Sequence, residues 1–442
     1  MFENTNNNSI KEHMTASQYS KSHRNFHYWR VRTMYSIMVG YGTFYLVRQN
    51  FSYTIPSICN ELGICKSDIG RVLSIGAILY GMGKFLFGLI GDRYSARYVM
   101  AIGLAASGLV NICLGASSWF PAIVLCLSLN QCFQSMGSPP CAKMLANWFG
   151  RSELGAKWGI WNTSLHIGGA LAGLLSPWLL EHYSWRAVFY IPGIVAVIVS
   201  LIIFNRLRDT PKSLGFPSID EIEGCNGKQT TPNKLDFKDT MKLTLSNRYV
   251  WIMGLANLFI YVNRMTFANW GPTLLQESRG NSVFLSGKQM ALFELSGVLG
   301  PIIIGYISDK FFKNTRTAIA TLCMILTALV NLLFLLEAKT SVLLSCFCMI
   351  GMGALATSPI VLINASLSET VNKSTIATAI GFAGTMGYLG SAIAGEGSAR
   401  VAEKFGWDMV IIGTMCTAFI AATLFGMLWY KQAKNARNID KV

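Results

Sequence analysis

FGLIGDRYSAR, residues 87–97, closes an apolar run with a glycine, an aspartate and two arginines. IIGYISDKFFKNTR, residues 303–316, closes another run in the same way. Asp92 of the first recurs as Asp309 of the second, 217 positions on. The correspondence extends further. YLVRQNFS (45–52) is echoed by YVNRMTFAN (261–269), so that Arg48 recurs as Arg264 after 216 positions. GSPPCAKML (137–145) has a counterpart in ATSPIVLIN (356–364). A chain that repeats itself at a fixed long offset consists of two related halves.

The composition says what the halves are made of. Of 442 residues, 52% are hydrophobic and 13% are charged, where average soluble domains carry about 25% charged residues. Apolar stretches long enough to cross a bilayer recur along the chain. They predict twelve membrane helices, over 33–57, 70–90, 98–117, 120–147, 156–181, 187–205, 249–273, 287–307, 317–336, 341–368, 376–401 and 409–431. The expected organisation is an N-terminal tail (1–32), a six-helix bundle (33–205), a linker (206–248), a second six-helix bundle (249–431) and a short tail (432–442). Basic residues follow the second, fourth, eighth and last spans, among them Arg93, Arg97, Arg151, Lys157, Lys310, Lys313, Arg316, Lys434 and Arg437. The positive-inside rule therefore puts both termini in the cytoplasm.

Several function classes drop out. The net charge of +15 lies in loops and tails between apolar segments, a membrane-topology signature rather than a nucleic-acid footprint. Cysteines such as Cys113, Cys126 and Cys346 sit within apolar segments and read as packing residues; no metal-ligand spacing occurs. The first 30 residues are polar and basic and do not read as a signal peptide. No phosphate-binding G-x-x-x-x-G-K-[ST] loop and no nucleophile–base constellation is present. The expectation is a multi-pass membrane protein that is not an enzyme and needs no cofactor or metal.

The remaining signal is charge inside the membrane. An arginine at the centre of a span costs about 2.5–3.5 kcal/mol on insertion scales. Arg48 and Arg264 both bear that cost, and Lys84 is a third intramembrane cation. Tyrosines share their helix faces: Tyr41 and Tyr45 precede Arg48, Tyr80 precedes Lys84 by four, and Tyr261 precedes Arg264 by three. A structural ion pair is the competing reading. Glu294 is available to Arg264, but no acid stands near Arg48 in its own span. For Lys84 the competing reading is snorkelling toward the polar end at Asp92. Glu396 and Arg400, four apart, read as an internal ion pair near the outer end. Pro139, Pro140 and Pro359 are expected to bend the fourth and tenth spans. Lys143 either lines a vestibule or caps that bend.

Taken together, YLVRQNFS, YGMGKFLFGLIGDRYSARY (80–98), GSPPCAKML, WNTSLHIGGAL (161–171), SWRAVF (184–189), RLRDTPKSLGFP (206–217) and YVNRMTFANWGPTLLQE (261–277) resemble the organophosphate:phosphate antiporters of the major facilitator superfamily. The likeness covers essentially the whole chain and is closest to the hexose-phosphate branch, which includes a sensor of glucose 6-phosphate. It implies an all-α fold of two six-helix bundles with a substrate site between them. It further implies an inner-membrane monomer that exchanges a sugar phosphate, glucose 6-phosphate foremost, for inorganic phosphate. The alternatives are a glycerol 3-phosphate or other organophosphate antiporter, or a sensor that signals to a membrane kinase. Arg48 and Arg264 would hold the phosphate, assisted by Lys84 and the tyrosines. Trp161, Asn162 and Tyr388 match cavity positions of the family. Asp92, Arg93 and Arg97 with Asp309 and Lys310 would form a gate and helix-cap network.

The sequence departs from the family at three places. Leu165 stands where the family has a histidine, and His166 is next to it, rotated by about 100° on a helix. His166 either contacts substrate or packs as a polar residue between helices. Gln49 replaces a lysine and Asn269 an aspartate, two residues read as neutralising each other across the halves in relatives. With both now amides, Glu294 is expected to pair more firmly with Arg264 in the empty carrier.

Overall fold

The computed structural model describes residues 16–222, 237–311, 315–337, 341–371 and 375–439. The first half consists of α1 (Ala16–Leu62), α2 (Lys66–Arg93), α3 (Ala96–Ala116), α4 (Phe120–Gln134), α5 (Ser138–Trp148), α6 (Arg151–His182) and α7 (Ala187–Arg206). Two short helices follow, α8 (Ile219–Ile222) and α9 (Phe237–Ser246). The second half consists of α10 (Arg248–Arg279), α11 (Val283–Phe311), α12 (Arg316–Glu337), α13 (Val342–Thr370), α14 (Ile376–Phe405) and α15 (Trp407–Ile439). The side chains of Asp92, Arg151 and Arg437, and the whole of Lys313, lie outside the described residues, as does linker segment 223–236.

Eight described helices are long and apolar enough to cross a membrane: α2, α3, α6, α7, α11, α12, α13 and α15. The crossings that miss this criterion are α1, the α4–α5 pair, α10 and α14. α4 and α5 are each too short to qualify alone, whereas α1 and α10 carry Arg48 and Arg264, which line the cavity described below.

Two expectations need correction. The fourth span is two helices rather than one bent helix. α4 ends at Gln134, and α5 starts afresh with Pro139 and Pro140 in its first turn. The first turn of a helix has no acceptors for its N–H groups, so proline is at home there. Pro359, by contrast, sits inside unbroken α13. The first span also starts earlier than residue 33. α1 is helical from Ala16 because its N-terminal extension has something to pack on. Phe26 is buried, with its ring centroid 6.3 Å from Trp148 and 5.6 Å from Phe216. Arg30 donates to the Trp148 carbonyl at 3.2 Å and pairs with Glu153.

Buried amides fix the helices that carry the arginines. Asn111 of α3 and Asn130 of α4 both donate to the Val47 carbonyl, at 3.1 and 3.2 Å, one residue from Arg48. Asn50 donates to Asn111 Oδ1 at 3.0 Å. In the second half Asn263, one residue before Arg264, donates to the Thr414 carbonyl of α15 at 2.9 Å. Interhelical hydrogen bonds in membranes contribute about 0.6–2 kcal/mol each. Their greater effect here is to set the rotation of α1 and α10.

The halves meet through α1 with α10, α2 with α14, and α6 with α11. Contact is tight at the end away from the termini. Gly173 of α6 and Gly287 of α11 touch so closely that a Cβ on Gly287 would lie 2.3 Å from the Gly173 carbonyl oxygen. Lys66 of α2 pairs with Glu277 of α10 at 2.9 Å, and the Ser67 N–H donates to Glu403 of α14 at 2.8 Å. Toward the termini the seam parts: a Cβ on Gly159 of α6 or on Gly305 of α11 would meet nothing within 4 Å. The molecule is shut at one end and open at the other.

Lys66, Glu277 and Glu403 line a recess at the shut end together with half-buried Cys59. The double variant Glu277→Gln/Glu403→Gln should loosen that end. Alkylation of Cys59 by a maleimide, relative to exposed Cys65 in the same molecule, is expected to speed up roughly three- to tenfold, since such partly exposed contacts contribute up to about 1 kcal/mol each. An unchanged ratio would show that these contacts do not hold the end closed.

Candidate functional site

Between the halves lies a cavity of about 170 Å³. Its walls come from both halves and include Arg48 and Arg264. Arg48 reaches it from α1. Its guanidinium lies 4.2 Å from the centre of the Tyr80 ring and 5.7 Å from that of Tyr45. Desolvated cation–π contacts contribute about 2 kcal/mol, which offsets much of the insertion cost without neutralising the charge. Among the described residues no carboxylate pairs with Arg48. Arg264 is buried, donates through Nε to Thr357 Oγ1 at 3.3 Å and stands 3.6 Å from Glu294.

Glu294 of α11 is 1% exposed and is bonded from three helices. Gln49 of α1 donates to one oxygen at 2.9 Å. His166 Nδ1 of α6 lies 2.8 Å from the other, the oxygen that also faces Arg264. A buried carboxylate is tolerated only with this degree of satisfaction. Gly297, one turn along α11, makes room: a Cβ there would lie 2.6 Å from His166 Cε1.

These contacts place the residues that the sequence left open. His166 does not miss the cavity; it lines it and closes on Glu294, and Leu165 lines the cavity as well. The pairing of Glu294 with Arg264 is present, but His166 and Gln49 share the carboxylate. Gln49 and Asn269 both line the cavity, yet no hydrogen bond joins them among the described residues; Gln49 is turned to Glu294 instead.

Tyr45, Tyr80, Tyr261 and Tyr388 line the cavity. Tyr388 lies between the halves, its ring 5.3 Å from Tyr80 and 6.1 Å from Tyr261. Lys84 donates to the Tyr388 hydroxyl at 3.0 Å, so it bridges α2 and α14 instead of lining the cavity itself. Tyr41 and Trp161 are one layer back, buried against each other at 4.6 Å, whereas Asn162 reaches the cavity.

The expected gate charges are found within their own halves. Asp309 pairs with Arg316, which also holds Glu369 of α13. Lys310 lies against the Tyr306 ring at 5.7 Å, and Arg97 donates to the Phe204 carbonyl. Arg93 is exposed. No contact between these two clusters is present among the described residues, as fits a seam parted at this end. Lys143 donates to the Tyr94 carbonyl at 3.1 Å. Glu396 and Arg400 pair with each other, with Nε to Oε1 at 2.9 Å.

Sequence reasoning missed Gln131, Thr357 and Ser391 of the cavity and Lys66, Glu277 and Glu403 of the shut end. Polar residues on otherwise apolar faces could have pointed to the first set. The second set resembles ordinary helix-end charges.

The family model described as the Major Facilitator Superfamily matches residues 37–395. The chain belongs to the major facilitator superfamily. Its relatives place it in the organophosphate:phosphate antiporter branch. A probable hexose phosphate transport protein of Chlamydia trachomatis is 34% identical over 429 residues, 94% of each chain. A glycerol-3-phosphate transporter of Bacillus subtilis is 34% identical over 90% of this chain and 92% of its own. The membrane sensor protein UhpC of Escherichia coli is 33% identical over 90% and 92%. Among solved structures, a bacterial homologue of the human lysosomal transporter Spinster, inward-facing and unoccupied, superposes with a TM-score of 0.75 at 14% identity, covering 92% of this chain and 98% of its own. This superfamily member is thus a multi-pass membrane protein of transporter fold, not an enzyme.

Within this superfamily fold, the Gln49–Glu294 contact should be energetically real and a Gln49–Asn269 contact should not. A double-mutant cycle on unfolding free energies is expected to give a coupling of about 1–2 kcal/mol for Gln49 with Glu294, and additivity within about 0.5 kcal/mol for Gln49 with Asn269.

Proposed function

We propose that the chain exchanges a sugar phosphate, glucose 6-phosphate foremost, for inorganic phosphate by alternating access across the inner membrane. The observation that carries this reading is that Arg48 and Arg264, one from each half, line a single cavity. A phosphate monoester is an anion with three acceptor oxygens. A guanidinium fork matches two of them and stays charged throughout. An anion held by both forks bridges the halves and lowers the barrier to closure. Without one, the two positive charges oppose closure, so the empty carrier reorients poorly and exchange is favoured over one-way flow.

The rest of the wall speaks to the organic part of the substrate. Besides the arginines and His166 it offers uncharged groups: the amides of Gln49, Asn130, Gln131, Asn162 and Asn269, and the hydroxyls of Ser52, Thr357 and Ser391. Gln131 Oε1 is buried without a hydrogen-bond partner, a natural acceptor for a sugar hydroxyl. A polyhydroxyl group without a second charge suits this wall better than a carboxylate. With both termini in the cytoplasm, the parted end is the inward-facing one. Substrate phosphate then competes with Glu294 for Arg264.

Phosphate-loaded proteoliposomes test the proposal. External glucose 6-phosphate is expected to release labelled phosphate, glycerol 3-phosphate and phosphoglycerate less, and glucose none. Arg48→Lys and Arg264→Lys, which keep the charge and lose the fork, should each slow release by about tenfold or more. A Glu294→Gln variant with unchanged exchange would contradict the competition at Arg264. Release by none of the phosphate esters removes the exchange reading. The sensor among the relatives supports a second reading, and saturable glucose 6-phosphate binding without phosphate release would select it.

A further inference from the structure

We infer that the termini-side rim of the first half holds the headgroup of an anionic phospholipid, on guanidiniums supplied by α1, α3 and the end of α7. Four arginines gather there: Arg32, Arg97, Arg206 and Arg208. Arg32 and Arg208 share Trp29, whose ring centre lies 4.4 Å from one guanidinium and 5.5 Å from the other. Arg97 lies 4.4 Å from the Phe204 ring centre, and Arg206 lies 5.8 Å from that of Tyr35 while donating to its hydroxyl.

What marks this group is that several guanidiniums lie together without a counter-charge. Several other guanidiniums at helix ends meet carboxylates: Arg30 with Glu153, Arg71 with Asp68, Arg186 with Glu61, Arg316 with Asp309 and Glu369. None of the four has such a partner among the described residues. The one adjacent carboxylate, Asp209, accepts the backbone N–H of Arg97 at 2.8 Å. Arg32 Nε is buried with no hydrogen-bond partner. Burial and the nearby Arg97 and Arg32 charges pull the pKa of Arg208 below its usual value. A cluster whose members disfavour one another in this way is stabilised by a shared anion.

The surroundings favour a lipid as the source of that anion. Tyr35 and Tyr98, 40% and 48% exposed, mark the interfacial level where amphipathic rings settle. One turn deeper from each, Val39 and Ile102 are exposed, and Ile198 and Leu201 of α7 are exposed beside them. The result is a positive head above an apolar wall facing the hydrocarbon. The positive-inside rule asks only for basic residues near the surface. It does not account for guanidiniums held against rings with a donor left open.

The full-length protein, purified into nanodiscs of phosphatidylcholine with a minority of phosphatidylglycerol or cardiolipin, tests this. Native mass spectrometry reads which lipids stay bound. Wild type is expected to retain the anionic lipid above its share of the bilayer. Arg32→Gln/Arg97→Gln/Arg208→Gln should lose that preference by about tenfold or more, because each basic residue at the surface attracts anionic lipid. Arg248→Gln, an exposed arginine on the rim of the other half, should retain it, and millimolar inorganic phosphate should not displace the lipid. No anionic preference in wild type, or an equal loss in Arg248→Gln, overturns the inference. Displacement by inorganic phosphate also overturns it, by showing a soluble-anion site. Should the triple variant not fold, the exposed Arg206→Gln replaces it: weaker retention supports the headgroup site, and unchanged retention overturns it.

Discussion

A single buried carboxylate constrains much of this molecule. Glu294 lies at the seam of the two halves, and an ion at that depth costs several kcal/mol unless its oxygens are fully engaged. Three donors meet that requirement, on α1, α6 and α10. Bringing α6 close enough for His166 to reach forces the two helix backbones together, and the glycines at 173, 287 and 297 follow from that. Gln49 serves where a lysine would add another positive charge to a carboxylate already facing Arg264 and His166. An amide satisfies the oxygen without over-neutralising the site.

The two arginines are consequently unequal. Arg48 has aromatic faces and no acid; Arg264 has an acid within 3.6 Å. On the proposed reading, an entering anion meets full charge on the first and shared charge on the second. In the proposed cycle the first contact comes from Arg48, and the second is made at the expense of Glu294. The asymmetry links occupancy of the cavity to the contact that holds the seam together.

The halves, the helical class and the two arginines were legible because charge in an apolar run is conspicuous and the repeat duplicates it. Glu294 could be read for the same reason. What could not be read was whom each polar side chain would choose. Gln49 has both Glu294 and Asn269 across the seam, and only the closeness of α6 and α11 decides between them. Tyr41 shares a helix face with Tyr45, yet Trp161 fills the space before it and keeps it from the cavity. Lys66 and Glu403 look in sequence like helix-end charges, because their partners lie in the opposite half. Pro139 and Pro140 suggested a bend, but proline beside Gly137 starts a helix as readily as it kinks one.

The two helices that carry the cavity arginines, α1 and α10, are not among those apolar enough to cross a membrane by composition alone. α1 is the extreme case. It is synthesised, with Arg48 in it, before Tyr80, Asn111 or Asn130 exists to receive it. The energetic burden of the site therefore falls on biogenesis as well as on the mature protein. Seating of α1 depends on the strongly apolar α3 and α7, which follow it in the chain and pack against it. Substitutions that deepen the polarity of α1 would then show first as lost protein in the membrane, before any defect in the protein that arrives.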